Sequence, residues 1–259
     1  MAMDDYKFMI KKIDSFDQIT TGSIHYVYQD VHFLLKNGNN HDCLLVAFHG
    51  GVHSNKPTFR CYNYNGYDVL SISDRLLNKY AKPNAKTRAI ALAWFQNSEK
   101  HPNNKDLYES IIGHVIKSYR RVLFHGTSGG GYPSLYYSSI FKKQCMISNS
   151  QIYPEAHERY EELVSRLLLN TDRYIKHDNI HEHFDKYGFP EKIILYINLE
   201  DKHHHQEHTI PFVKYCSDVK YEGLELIQFS KTERGKLVHA VLFPSSTDEA
   251  IIKDILSRE

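Results

Sequence analysis

The segment best suited to chemistry is Arg121-Val122-Leu123-Phe124-His125-Gly126-Thr127-Ser128-Gly129-Gly130-Gly131, an apolar run that passes through Gly-x-Ser-x-Gly into a helix-compatible stretch ending at Ile140. A serine alcohol is a poor nucleophile near neutral pH, and it becomes a good one when a base takes its proton and a carboxylate orients that base. The glycines two positions away on either side explain the spacing. A serine on a very tight strand-to-helix turn has neighbours that pass too close to carry side chains. Ser128 is therefore expected above a sheet edge, with a helix N-terminus beneath it favouring negative charge.

In this arrangement the partners follow in the order Ser, acid, His, each at the end of a later strand. The apolar run 193–197 leads into Asn198-Leu199-Glu200-Asp201, and the run 224–229 is followed, after a polar loop, by Leu237-Val238-His239. Asp201 and His239 are the expected partners of Ser128, and Glu200, one residue from the same strand end, is the alternative acid. Acyl transfer also needs donors for the tetrahedral oxyanion. The Gly129 N–H follows the nucleophile directly, and His49-Gly50-Gly51-Val52, after the first central strand, offers the second donor at Gly51, with Val52 as the alternative.

These residues need a scaffold of buried strands. Continuous apolar runs at 44–48, 69–72, 122–124, 145–147 and 193–197 read as parallel strands covered on both faces. Runs 25–29 and 31–36, with Asn37-Gly38-Asn39-Asn40 as turn chemistry, predict that the chain opens with an antiparallel hairpin. Leu107, Ile111, Ile112, Val115 and Tyr119 share one helical face, as do Tyr160, Leu163, Val164, Leu167 and Leu168. A capping box, Ser246-Thr247-Asp248-Glu249, precedes Ile251, Ile252, Ile255 and Leu256. Residues 89–95 fit a strand or the start of a helix equally well. The fold class is an α/β sandwich with a mostly parallel sheet, one domain over residues 1–259 with a helical insertion at about 152–191.

Composition narrows the function. Across 259 residues, 32 Lys and Arg balance 31 Asp and Glu to a net charge of +1, which argues against a nucleic-acid-binding scaffold. The charged residues within 1–16 leave no apolar core for a signal peptide, and the longest uncharged apolar run, 89–95, is far short of the roughly 20 residues that span a bilayer. The four cysteines are scattered without a C-x-x-C pair, as suits reduced thiols in a cytoplasmic protein. The glycines at 126–131 lack the lysine of a phosphate loop. His203-His204-His205 and His208 have metal-binding side chains, but in a chain with 17 histidines a solvated or supporting cluster is the simpler reading, and no metal is expected.

The order His49-Gly50-Gly51, Gly126-Thr127-Ser128-Gly129-Gly130, Asp201, His239 resembles the α/β-hydrolase superfamily over nearly the whole chain. More narrowly, Ser71-Ile72-Ser73-Asp74, Ala93-Trp94-Phe95, Asn149-Ser150-Gln151 and Asn198-x-x-Asp201-x-x-His204 resemble blocks of bacterial capsular polysaccharide O-acetyltransferases and of the hydrolase-like accessory Sec export component. Val238 and Pro133 depart from the usual pattern. The resemblance implies a cytosolic serine enzyme moving acetyl from acetyl-CoA to a glycan hydroxyl, associated peripherally with polysaccharide assembly machinery. A carboxylesterase or deacetylase using the same triad, or a weakly catalytic export partner, are the alternatives. His49 and Gln151 are candidate substrate contacts. The insertion leaves and rejoins the sheet beside the expected site, so it is predicted to form part of the acceptor wall, with Arg173 and Tyr174 meeting an anionic glycan.

Overall fold

The apolar runs become strands of one sheet because each alternates its side chains between two covered faces. The computed structural model describes residues 8–20, 22–52, 56–60, 66–80, 92–157, 160, 179–233, 238–240 and 252–257. Nine strands are described: β1 (Met9–Lys12), β2 (Ile24–Tyr28), β3 (Val31–Lys36), β4 (Cys43–Phe48), β5 (Asp68–Ile72), β6 (Arg121–Thr127), β7 (Gln144–Ser148), β8 (Ile193–Asn198) and β9 (Leu224–Phe229). Their order is β1-β2-β3-β5-β4-β6-β7-β8-β9. Only the β2/β3 and β3/β5 pairs among these are antiparallel. The α-helices are α1 (Arg75–Tyr80), α2 (Asn104–Ile116), α3 (Gly131–Phe141), α4 (Ile180–Tyr187) and α5 (Ile210–Asp218), and residues 252–257 are also helical.

The chain runs from β4 outward to β5, then crosses back to lay β6 on the other side of β4. Such a reversal opens a crevice at the C-terminal ends of the central strands, the usual place for a ligand in an open α/β sheet. Phe48 at the end of β4 pairs with Gly126 near the end of β6, so His49 and Ser128 emerge at one edge. Below that edge, Val46, Phe48, Phe124 and Ile147 pack with Tyr108, Ile112 and Leu135 of α2 and α3. Leu45, Ala47, Leu123 and Met146 face the opposite side, against Ile252, Ile255 and Leu256.

The expected antiparallel hairpin is formed by β2 and β3, and β1 precedes it and pairs in parallel with β2. β1 carries two lysines among its four residues, and Met9 and Ile10 are largely exposed, so no alternation marks this edge strand. The hairpin turn is Gln29-Asp30, both at positive φ as a two-residue type I′ turn requires; Asn37 and Gly38 follow β3. Residues 92–95 form neither strand nor helix but a turn, with Trp94 and Phe95 at φ 49° and 60°. Residues 161–168 of the expected helix, the capping box at 246–249 and Cys61 lie outside the described residues. The three described cysteines are buried free thiols. No helix among the described residues is long and apolar enough to cross a membrane.

Candidate active site

Ser128 sits at φ 55°, the left-handed conformation that a β-carbon disfavours. The turn is held there by contacts that only glycine permits. A Cβ on Gly126 would stand 1.9 Å from the Gly130 carbonyl oxygen, and one on Gly130 would stand 2.5 Å from that of Phe48. Ser128–Gly130 form a 3-10 turn that runs directly into α3. Pro133 is tolerated because it falls within the first four helical residues, whose N–H groups have no intrahelical partner. The Gln151 N–H donates to the Ser128 carbonyl at 3.0 Å and braces the turn from β7.

The loop after β4 presses against this turn: a Cβ on Gly50 would lie 3.1 Å from Ser128 Cβ and 3.4 Å from the Gly129 nitrogen. Gly51, the expected second oxyanion donor, follows as an exposed residue. His49, a candidate substrate contact, is bonded on both sides within the protein. It is buried, its Nδ1 donates to the Gly50 carbonyl at 2.8 Å and its Nε2 accepts from the Asp74 N–H at 3.0 Å. Both nitrogens are engaged within the protein, and burial lowers its pKa to about 4, so the ring is neutral.

Asp74 extends that support. Its carboxylate accepts from Leu76 N at 3.0 Å and Phe95 N at 2.7 Å, which holds the 94–95 turn. Burial pushes its pKa up to about 7 against these hydrogen bonds. Trp94 Nε1 then donates to Gln151 Oε1 at 2.9 Å. Gln151 is 3% exposed and commits its amide oxygen and backbone N–H to the protein, so it too acts first as a brace for the serine turn. Sequence reasoning noticed the segments around Asp74 and Trp94 but gave these residues no role.

Beyond β8, Asn198 anchors the end of β9, donating to the Lys231 carbonyl at 2.8 Å and accepting from its N–H at 3.1 Å. The turn that follows delivers Asp201, whose Oδ2 accepts from His239 Nδ1 at 2.9 Å. Glu200 points elsewhere, accepting from Ser230 Oγ at 2.5 Å. His239 lies on a 3-10 turn, Val238–Ala240, with its side chain one-third exposed, and its carbonyl accepts from Asn149 Nδ2 at 3.3 Å. The loop 149–151 is thus bonded at one end to His239 and at the other to Ser128. Ser128 Oγ makes no hydrogen bond among the described residues.

Within the histidine cluster His204 and His208 are buried, whereas His203 and His205 are half-buried. His204 Nδ1 bonds the other Asp201 oxygen, Oδ1, at 2.9 Å. Burial opposes the Asp201 charge, but the hydrogen bonds from His204 and His239 outweigh it and hold the carboxyl well below the usual carboxylate range. His208 Nδ1 accepts from the Tyr153 N–H at 3.2 Å, which leaves its proton on Nε2 and rules that nitrogen out as a neutral metal ligand. Asp201, His204 and His239 bring one donor atom each within 4.8 Å of one another, the one set among the described residues with the makings of a metal site. The Nδ1 of each ring meets its own carboxylate oxygen at hydrogen-bond length, as an N–H donor does. Arg173 and Tyr174 lie outside the described residues.

A mostly parallel sheet, an antiparallel hairpin at its N-terminal side and a strained serine turn after a central strand together define the α/β-hydrolase fold. The structure is similar to the capsule O-acetyltransferase of Neisseria meningitidis serogroup A, with a TM-score of 0.56 and 15% identity, covering 92% of this chain and 97% of that one. It is similar to an esterase from Pyrococcus furiosus, with a TM-score of 0.53 and 11% identity over 97% of each chain. It also resembles a chain of the glycosylation-associated protein complex of Streptococcus agalactiae, with a TM-score of 0.52 and 12% identity, covering 90% of this chain and 45% of that one. No protein-family profile matches the chain, and no curated protein matches it in sequence.

Proposed function

We propose that the chain is a serine acyltransferase that O-acetylates a bacterial surface glycan from acetyl-CoA, acting in the cytoplasm beside the polysaccharide assembly machinery. The observation that carries the reading is the Asp201–His239 hydrogen bond, joined through the loop 149–151 to a serine strained at positive φ. Asp201 fixes the proton of His239 on Nδ1 and leaves Nε2 as the base. That nitrogen takes the Ser128 proton as Oγ attacks the thioester carbonyl. The N–H groups of Gly129 and Gly51 are the proposed donors to the oxyanion. The thiol leaves with the proton held by His239, and the same base then deprotonates the acceptor hydroxyl that attacks acetyl-Ser128.

The second reading is an esterase or deacetylase, in which water resolves the same intermediate. Its support is the one-third exposure of the His239 side chain, which leaves the base open to solvent. Incubation with acetyl-CoA and candidate capsular glycans decides between them. Transfer predicts a glycan mass gain of one acetyl group, and its absence alongside steady hydrolysis of acetyl esters would favour the second reading.

A further inference from the structure

We infer that His204 is a positioning residue of this site, a second imidazole on Asp201 that fixes the carboxylate and the ring plane of His239. The inference rests on the serine chemistry proposed above. Two independent contacts carry it. The first is the division of the carboxylate. Oδ1 accepts from His204 Nδ1 at 2.9 Å and from the His204 backbone N–H at 3.4 Å, while Oδ2 is left to His239. A carboxylate rotates easily about its terminal torsion, and a donor on each oxygen sets its plane. The second is ring contact. His204 stacks on His239 with centroids 4.1 Å apart and planes 17° from parallel, so it covers one face of the base and limits its rotation.

The roles are not interchangeable. The His204 side chain is 8% exposed and that of His239 33%, so only His239 can meet a substrate. His204 is itself fixed from behind, with His203 and His208 at centroid distances of 5.2 and 5.4 Å and a π-helical turn, His204–Thr209, beginning at its own position. Burial lowers its pKa, with the nearby His239 and His203 adding to that effect against the Asp201 hydrogen bond. A neutral His204 sets no second cation against the charge that His239 acquires in turnover.

Two variants separate the contacts. H204N keeps an N–H donor near the Nδ1 position, and H204F keeps a flat ring without the donor. We expect H204F to lower kcat for p-nitrophenyl acetate on the order of a hundredfold, the scale of a small misplacement of reacting groups, with KM little changed. H204N should retain kcat within a few-fold. If H204F fails to fold, H204Q, whose amide reaches the Nε2 position, takes its place and should lose activity while H204N keeps it. In protein labelled with 15N-histidine, wild type should show two far-downfield Nδ1–H resonances. H204F or H204Q should lose one and shift the other. Wild-type kcat with an unmoved His239 resonance in these variants, or equal loss of kcat in H204N and H204Q, would overturn the role. The resonances are read without substrate, so failure of the acyl-transfer reading appears separately, as absence of fluorophosphonate labelling at Ser128.

Discussion

Asp201 and His239 stand 38 residues apart in the chain and 2.9 Å apart in space. The parallel pairing of β8 with β9, in register from Ile193 with Leu224 to Asn198 with Phe229, brings them together by ending both strands at one level. Asn198 then ties the two exits through Lys231, so the acid and the base approach from loops of fixed origin. β6, two strands away across β7, leads directly into Ser128 at the same edge. The site is therefore a property of the sheet's C-terminal edge, and its proposed chemistry can be tested one residue at a time.

Ser128→Ala is expected to abolish acyl turnover while leaving the fold intact, since alanine shares the serine backbone and the turn is held by Gly126 and Gly130. Where a triad acts as a unit the loss approaches about a million-fold. A fluorophosphonate probe should label wild type at Ser128 and leave the variant unlabelled. Labelling of another serine in the variant would move the nucleophile elsewhere.

Asp201→Asn is expected to cost on the order of ten-thousand-fold in kcat. Oδ1 keeps its two donors from His204, so the asparagine NH2 turns toward His239 and forces the wrong tautomer on it. Glu200→Gln removes only a surface contact with Ser230 and should leave kcat near wild type. Reversed severities in steady-state kinetics would make Glu200 the acid.

The strands that frame the site were legible because a buried strand writes itself as an unbroken apolar run; the run 193–197 lies within β8, Ile193–Asn198, every residue of which is buried. The Gly-x-Ser-x-Gly turn was legible because its geometry excludes side chains at fixed offsets. The supporting residues were not. Nothing local distinguishes Asp74 as a brace for Phe95, because the bond spans 21 residues and depends on how β5 and the 94–95 turn meet. His204 looked like one of a polar run, since three consecutive histidines carry no period, and only the turn after β8 buries it against Asp201. β1 was missed because an exposed edge strand needs no apolar pattern.

Gly126→Ala is expected to destabilise the protein by several kcal/mol, among the largest effects a single substitution produces. The added carbon would collide with the Gly130 carbonyl, a backbone atom that cannot turn aside. Thermal melts and soluble yield measure this. A variant with wild-type Tm would mean the serine turn is looser than described.

Prolonged EDTA treatment should leave ester hydrolysis unchanged, because the hydrogen bonds of Asp201 to His204 and His239 already satisfy the donor set. Elemental analysis of the purified protein checks the same point. One bound zinc per chain together with chelator-sensitive activity would replace the serine mechanism with a metal-assisted one.

The last prediction concerns acid stability. His49 is neutral and buried, and its pKa in the folded chain is about 4, lowered chiefly by burial from the ordinary 6.5. Between those values the unfolded chain takes up a proton at this position that the folded chain does not. The state that binds more protons gains as pH falls, so this residue's contribution is fully present above about pH 6.5 and is lost as pH falls toward 4, a change on the order of 3 kcal/mol. His125, also buried and held at about 4, acts in the same sense. His49→Gln tests the assignment because its amide oxygen can accept from the Asp74 N–H in place of Nε2 yet cannot titrate. The variant should melt somewhat lower than wild type at pH 7.5, where a hydrogen bond to Gly50 has been removed, and its Tm should fall less steeply from pH 6.5 to 4. Parallel Tm curves for the two proteins across that range would show that His49 titrates normally and does not hold the loop as a neutral ring.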